Sequence, residues 1–98
     1  MMHAKNEMNS KIEEIMNIAQ EECAEVIQMI SKVRRFGIDT IHLKEGVPNR
    51  TMLTEEIGDL LCMVELLVEH NVITAQGLET AKQAKFEKLK LWSNIFKD

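Results

Sequence analysis

Residues 49–70 read NRTMLTEEIGDLLCMVELLVEH, and the fold follows from how apolar and acidic side chains share that stretch. On a helix, at about 100° per residue, Leu53, Ile57, Leu60, Val64 and Leu67 define an apolar stripe. The apolar arc extends well past half the circumference and leaves Gly58, Cys62, Glu65 and Glu69 on the far side. A lone three-helix chain cannot easily cover such a surface, whereas two copies packed helix against helix would. The expected state is a homodimer, or a homotetramer built from dimers, with a four-helix-bundle-like core. Glu56 sits within the stripe, and Asp59 lies between the directions of Met63 and Leu66. Gly58 between them lowers helix stability by about 1 kcal/mol relative to alanine, which suggests close helix packing or a partner backbone beside the acids.

The rest of the chain reads as two more helices. Ser10-x-x-Glu13 is a capping box ahead of an apolar run, so helix one is expected from Ser10 to about Phe36, with Gly37 as a left-handed terminator. Residues 38–50 break the period and carry Gly46, Pro48 and Asn49, so they form a loop. Helix two starts near Asn49 to Thr51 and runs to about His70, with Asn71 ending it. Thr74 caps a third helix to about Trp92, and the tail to Asp98 is free to fray. The fold class is all-α, with three main helices in a single domain over residues 1–98.

Composition narrows the function. Of 98 residues, 45% are apolar, and one Pro with four Gly argues against an all-β or disordered chain. A formal net charge of -4 gives no reason to expect nucleic-acid binding. Cys23 and Cys62 are isolated, without zinc spacing, which fits reduced thiols in a cytoplasmic protein. Met1 to Asn9 is polar, so no signal peptide is expected. The apolar runs are too short for a membrane span, so no membrane partner is expected.

Helix one repeats the acidic pattern of helix two. Ile12, Ile15, Met16, Ala19, Cys23, Val26, Ile30 and Val33 share a face; Glu22 projects into it and Glu25 lies at its edge beside Ile18 and Met29. Glu21 points nearly opposite, and Glu55 lies nearer the arc's edge than Glu56. Residues three apart are neighbours on a helix, so each doublet offers two adjacent carboxylates. Charges facing a core need protons, cationic partners or a metal. An all-oxygen set selects Mg²⁺, Mn²⁺ or Ca²⁺ over zinc or copper. A di-iron site would need Glu-x-x-His pairs, and His3, His42 and His70 never stand three residues after a Glu. The plainer reading is that the acids border an interface and bind Lys or Arg.

Three cations bear on a ligand. Lys85 lies in the middle of helix three's apolar arc of Leu78, Ala81, Leu89 and Trp92, with Lys82 on its margin. Such an amine suits phosphate oxygens, though it equally extends to solvent or pairs with an acid. Arg34 lies on the stripe side of helix one and is within reach of a ligand, while Lys32 and Arg35 read as favourable charges at a helix C-terminus. Phe86 and Trp92 read as core or interface more readily than as base-stacking groups.

The run Glu21-Glu22-Cys23-Ala24-Glu25, followed by Glu55-Glu56-Ile57-Gly58-Asp59, resembles the EExxE…ExxD signature of the MazG-like all-α nucleoside triphosphate pyrophosphohydrolases. SKVRRFG, then a loop, then NRTMLTEEIGDLL is similar to small stand-alone, phage-type members, and the resemblance runs from about Ser10 to Phe86. It implies Mg²⁺ ligands at Glu22, Glu25, Glu56 and Asp59, with Mn²⁺ able to substitute. It implies hydrolysis of an NTP or dNTP to the monophosphate and pyrophosphate by a helical homo-oligomer. Many members carry N-x-K-F on the following helix, where this chain has Gln83-Ala84-Lys85-Phe86. Lys85 matches and Gln83 departs, which bears on sugar or base selection more than on metal binding. The alternative function is a non-catalytic helical dimerisation or regulatory module that binds metal or nucleotide.

Overall fold

A computed structural model describes residues 9–98; Met1 to Met8, and with them His3 and most of the polar leader expected to hold no signal peptide, lie outside the described residues. The architecture is all-α: α1 (Ser10–Phe36), α2 (Asn49–Glu69) and α3 (Ala75–Trp92). Among the described residues there is no strand, only an isolated bridge between Ile41 and Pro48. No helix among them is long and apolar enough to cross a membrane.

Helix ends follow local chemistry. α1 is capped by Asn9, not Ser10: Asn9 Oδ1 accepts the Ile12 N–H at 2.9 Å. This corrects the expected capping box by one residue. Asn caps as well as Ser does, and with Asn9 as cap Glu13 stands one place too far along to close the box. Gly37 ends α1 at φ +105°, ψ 151°, a positive-φ but extended conformation in place of the expected left-handed helical one. Its N–H donates to Val33 O at 2.8 Å. Asn71 ends the second helical segment at φ 61°, the left-handed region Asn tolerates. Thr74 Oγ1 caps α3 by accepting the Gly77 N–H at 2.9 Å.

The chain divides into two compact units, one up to Leu67 and one from Val68 to Asp98. In the first, α1 and α2 run antiparallel: Glu22 lies near Asp59, Glu25 near Glu56, and Met29 shares a cleft with Met52. Ile15, Met29 and Met63 are the buried apolar side chains of the described residues. The inward face of α1 is Ile12, Ile15, Ile18, Ala19, Glu22, Val26, Met29 and Val33. The single apolar stripe read from the sequence therefore divides in two. Met16, Cys23, Ile27 and Ile30 form a second face that is exposed, Ile27 at 69%. α2 divides likewise, with Ile57, Gly58, Leu61 and Cys62 exposed. No heavy atom lies within 4 Å of where a Cβ on Gly58 would sit, so the close packing suggested for this glycine is not made within the described chain.

The connection between α1 and α2 is a tied hairpin. The Asn49 amide is buried and its Nδ2 donates to Gly37 O at 3.0 Å, joining the end of one helix to the start of the next. Asn49 N–H donates to Thr40 O, Arg50 N–H to Ile38 O and His42 N–H to Val47 O. Outside these, the Arg50 guanidinium grips Asp39 through Nε–Oδ1 at 2.9 Å and Nη2–Oδ2 at 3.1 Å. In the second unit the tail makes local contacts: Ser93 Oγ accepts the Ile95 N–H, and the Phe96 ring meets Phe86 edge-to-face at 6.2 Å.

Candidate active site

The antiparallel pair sets the carboxylates in register. Glu22 comes from the middle of α1, and Glu56 and Asp59 from the second and third turns of α2. One carboxylate oxygen from each lies within 4.8 Å of the others, with Glu22 and Glu56 half-buried and Asp59 exposed. Glu25 stands outside this triad and is exposed, yet its charge acts on both Glu22 and Glu56. Glu21 and Glu55 are exposed.

Packing so many like charges has a measurable consequence. Desolvation, then repulsion from Asp59, Glu25 and Glu21, raises the Glu22 pKa above its ordinary value. Desolvation, followed by Glu25, Asp59, Glu22 and Glu55, raises that of Glu56. No salt bridge to any of the four ligand candidates is formed among the described residues. Within the single chain the neighbouring cation is Lys32, which lines the adjoining cleft with Glu25 and Glu56. Oxygen donors with uncompensated charge suit a hard divalent cation.

A polar cleft of about 200 Å³ opens beside the triad, lined by Glu25, Gln28, Met29, Lys32, His42, Glu45, Met52 and Glu56. Lys32 is the cation of α1 that borders it. Arg34 instead lines a groove with Ile27, Ile30, Ser31 and Arg35. Lys32 was legible in principle: it stands seven residues after Glu25 and three after Met29, on one helical face. His42 was not, because it reaches the cleft only through the folding of the hairpin.

The remaining candidates belong to α3, in the second unit. Lys82 Nζ pairs with Glu79 at 2.8 Å, and Gln83 Nε2 donates to the same carboxylate at 3.3 Å. Those two contacts, Lys82 first, lower the Glu79 pKa. Lys85 is exposed and forms no ion pair among the described residues. Trp92 is 83% exposed.

The chain is all-α and sets carboxylates from two facing helices around one point, an all-oxygen donor set of the kind that suits a hard cation. The family model for the MazG nucleotide pyrophosphohydrolase domain matches residues 10–90, and the chain belongs to that family. No curated protein and no solved structure matches it individually.

Proposed function

We propose that this chain hydrolyses a nucleoside or deoxynucleoside triphosphate to the monophosphate and pyrophosphate with Mg²⁺, keeping a nucleotide pool clean or balanced. One observation carries the reading: the half-buried cluster of Glu22, Glu56 and Asp59 in a chain of a nucleotide pyrophosphohydrolase family. Glu22, Glu56 and Asp59 hold the cation and Glu25 completes the set. The residues fit the group, because the donors are all oxygen, and desolvation together with mutual repulsion raises the pKa of two of them. Mn²⁺ is the expected substitute. When bound, the divalent ion neutralises charge developing on the phosphates and increases the acidity of a water.

The chain's own groups do the rest. Glu25, exposed at the cleft edge beside Glu56, orients the water that attacks the α-phosphorus and takes its proton. Lys32 supplies positive charge to the phosphates at the cleft. Lys85, Lys82, Gln83 and Arg34 are candidate substrate contacts; for Lys82 and Gln83, binding means exchanging Glu79 for the ligand.

The working state in this reading is a homodimer or homotetramer. Its interface draws on Met16, Ile27 and Ile30 of α1 and Ile57 and Leu61 of α2, all exposed in the single chain. Two free, exposed thiols fit a reducing cytoplasm. The test is release of pyrophosphate and monophosphate from the NTPs and dNTPs, with Mg²⁺ and with EDTA. Orthophosphate as the product would place the cut at the wrong bond. Silence in a folded, Mg²⁺-binding oligomer would favour a non-catalytic module.

A further inference from the structure

A second hollow adjoins the acidic cleft. It is an open depression of about 360 Å³ lined by the exposed side chains of Phe36, Ile41, Leu43 and Lys44, with Thr40 and Asn49 as its polar groups. That volume falls in the range of small-molecule pockets, which are mostly apolar with a few fixed polar groups. Lys32 and His42 line both spaces and so form the divide between them. One side is apolar with an aromatic ring; the other is polar with carboxylates.

The walls are held in place. The Arg35 guanidinium lies 4.9 Å from the centroid of Phe36. His42 Nδ1 accepts the Glu45 N–H at 3.1 Å, which leaves Nε2 as the ring's donor. The hairpin bonds from His42 N–H to Val47 O and from Asn49 Nδ2 to Gly37 O fix the loop that carries the other wall.

We infer that the apolar hollow between the end of α1 and the 38–48 hairpin seats the nucleobase of the substrate, with Lys32 and His42 meeting the sugar–phosphate junction. This rests on the proposed triphosphate hydrolysis, and it assigns base stacking to Phe36 and base selection to Ile41 and Leu43. A nucleotide has an apolar aromatic end and a polyanionic end, joined by a hydrogen-bonding sugar. The two hollows and their donor-bearing divide present the same order. Phe36 stacks the base, a sequence-tolerant contact, and the hairpin groups around it discriminate among bases.

The test compares the parent with Phe36→Ala, Leu43→Ala, His42→Gln and His42→Ala across the NTPs and dNTPs. Leu43 is fully solvent-exposed, at 103%, so its truncation leaves the fold intact even if Phe36→Ala unfolds. Phe36→Ala is expected to raise KM by about tenfold, the scale of losing one base–aromatic stack. Leu43→Ala is expected to narrow the spread of kcat/KM among bases. His42→Gln, which keeps a donor, is expected to retain more affinity than His42→Ala. An unchanged spread and KM in all variants of an active parent would overturn the base seat while leaving the reaction standing. If the parent hydrolyses nothing, the reaction reading fails, and binding of α,β-methylene nucleoside triphosphates decides the seat. Weaker binding in Phe36→Ala and Leu43→Ala then supports it, and equal or absent binding overturns it.

Discussion

Glu56 stands between two demands, half-buried among carboxylates that repel it and yet placed where a cation would need it. Without metal, its charge and that of Glu22 oppose folding. Both have folded pKa values above the ordinary 4.5. Between that value and the raised one the folded chain binds more protons than the unfolded chain, so stability falls as pH rises. The Tm in EDTA is therefore expected to drop as pH climbs above about 4.5 through this window, and Mg²⁺ should reverse the drop. A melt series with and without the ion checks both. Glu56→Gln removes the repelled charge, so it should melt higher than the parent in EDTA at pH 7. It should also lose at least about 100-fold in activity, since even groups behind a ligand are worth about 10–100-fold. Parental activity in Glu56→Gln would remove this residue from the site. At this scale the sequence was informative for the acids, because helical phase alone separates Glu22 from Glu21 and Glu56 from Glu55. It was silent on His42, whose position depends on how a loop turns.

The hairpin that joins α1 to α2 governs what happens between the helices. Gly37 adopts φ +105°, and a Cβ there would come within 2.9 Å of Thr40 Oγ1. Gly37→Ala is expected to destabilise by about 1–3 kcal/mol, the usual range for a side chain forced into such backbone, as read from a denaturant midpoint. Asp39 is milder. Arg50, chiefly through its hydrogen bonds, holds the Asp39 pKa below the ordinary 3.8. Its contribution is complete above 3.8 and disappears as pH falls through the lower folded value. Asp39→Asn at neutral pH should leave Tm almost unchanged, as exposed pairs do, while amide exchange at Asn49 and Arg50 accelerates. Element ends were legible wherever a single residue sets them, as at Gly37, Asn71 and Thr74. α1 starts at Ser10 as expected, but its cap is Asn9, because Asn9 and Ser10 are both good caps. The path of the tail is hidden from local sequence because it depends on Phe96 reaching back to Phe86.

For the whole molecule, each of the first two helices reads as one broad apolar arc, and only the fold separates the part that faces α1 or α2 from the part left over. Periodicity cannot make that division, because both halves share one chemistry. If the leftover halves meet a second copy, Leu61→Glu, at a side chain 59% exposed, should turn the oligomer into a monomer by sedimentation. Gly58→Ala offers a finer test. It meets nothing within the described chain and should gain about 1 kcal/mol of helix propensity. In the assembly it should weaken association, if a partner backbone approaches there. Greater stability with unchanged association would exclude Gly58 from the contact. Cys23 and Cys62 lie on these same leftover faces, free and exposed, so in the proposed oligomer they would serve as a native gauge of dissociation. If the faces meet a second copy, a colorimetric thiol reagent should modify them slowly in concentrated solution and quickly on dilution, reporting the subunit equilibrium without any added label.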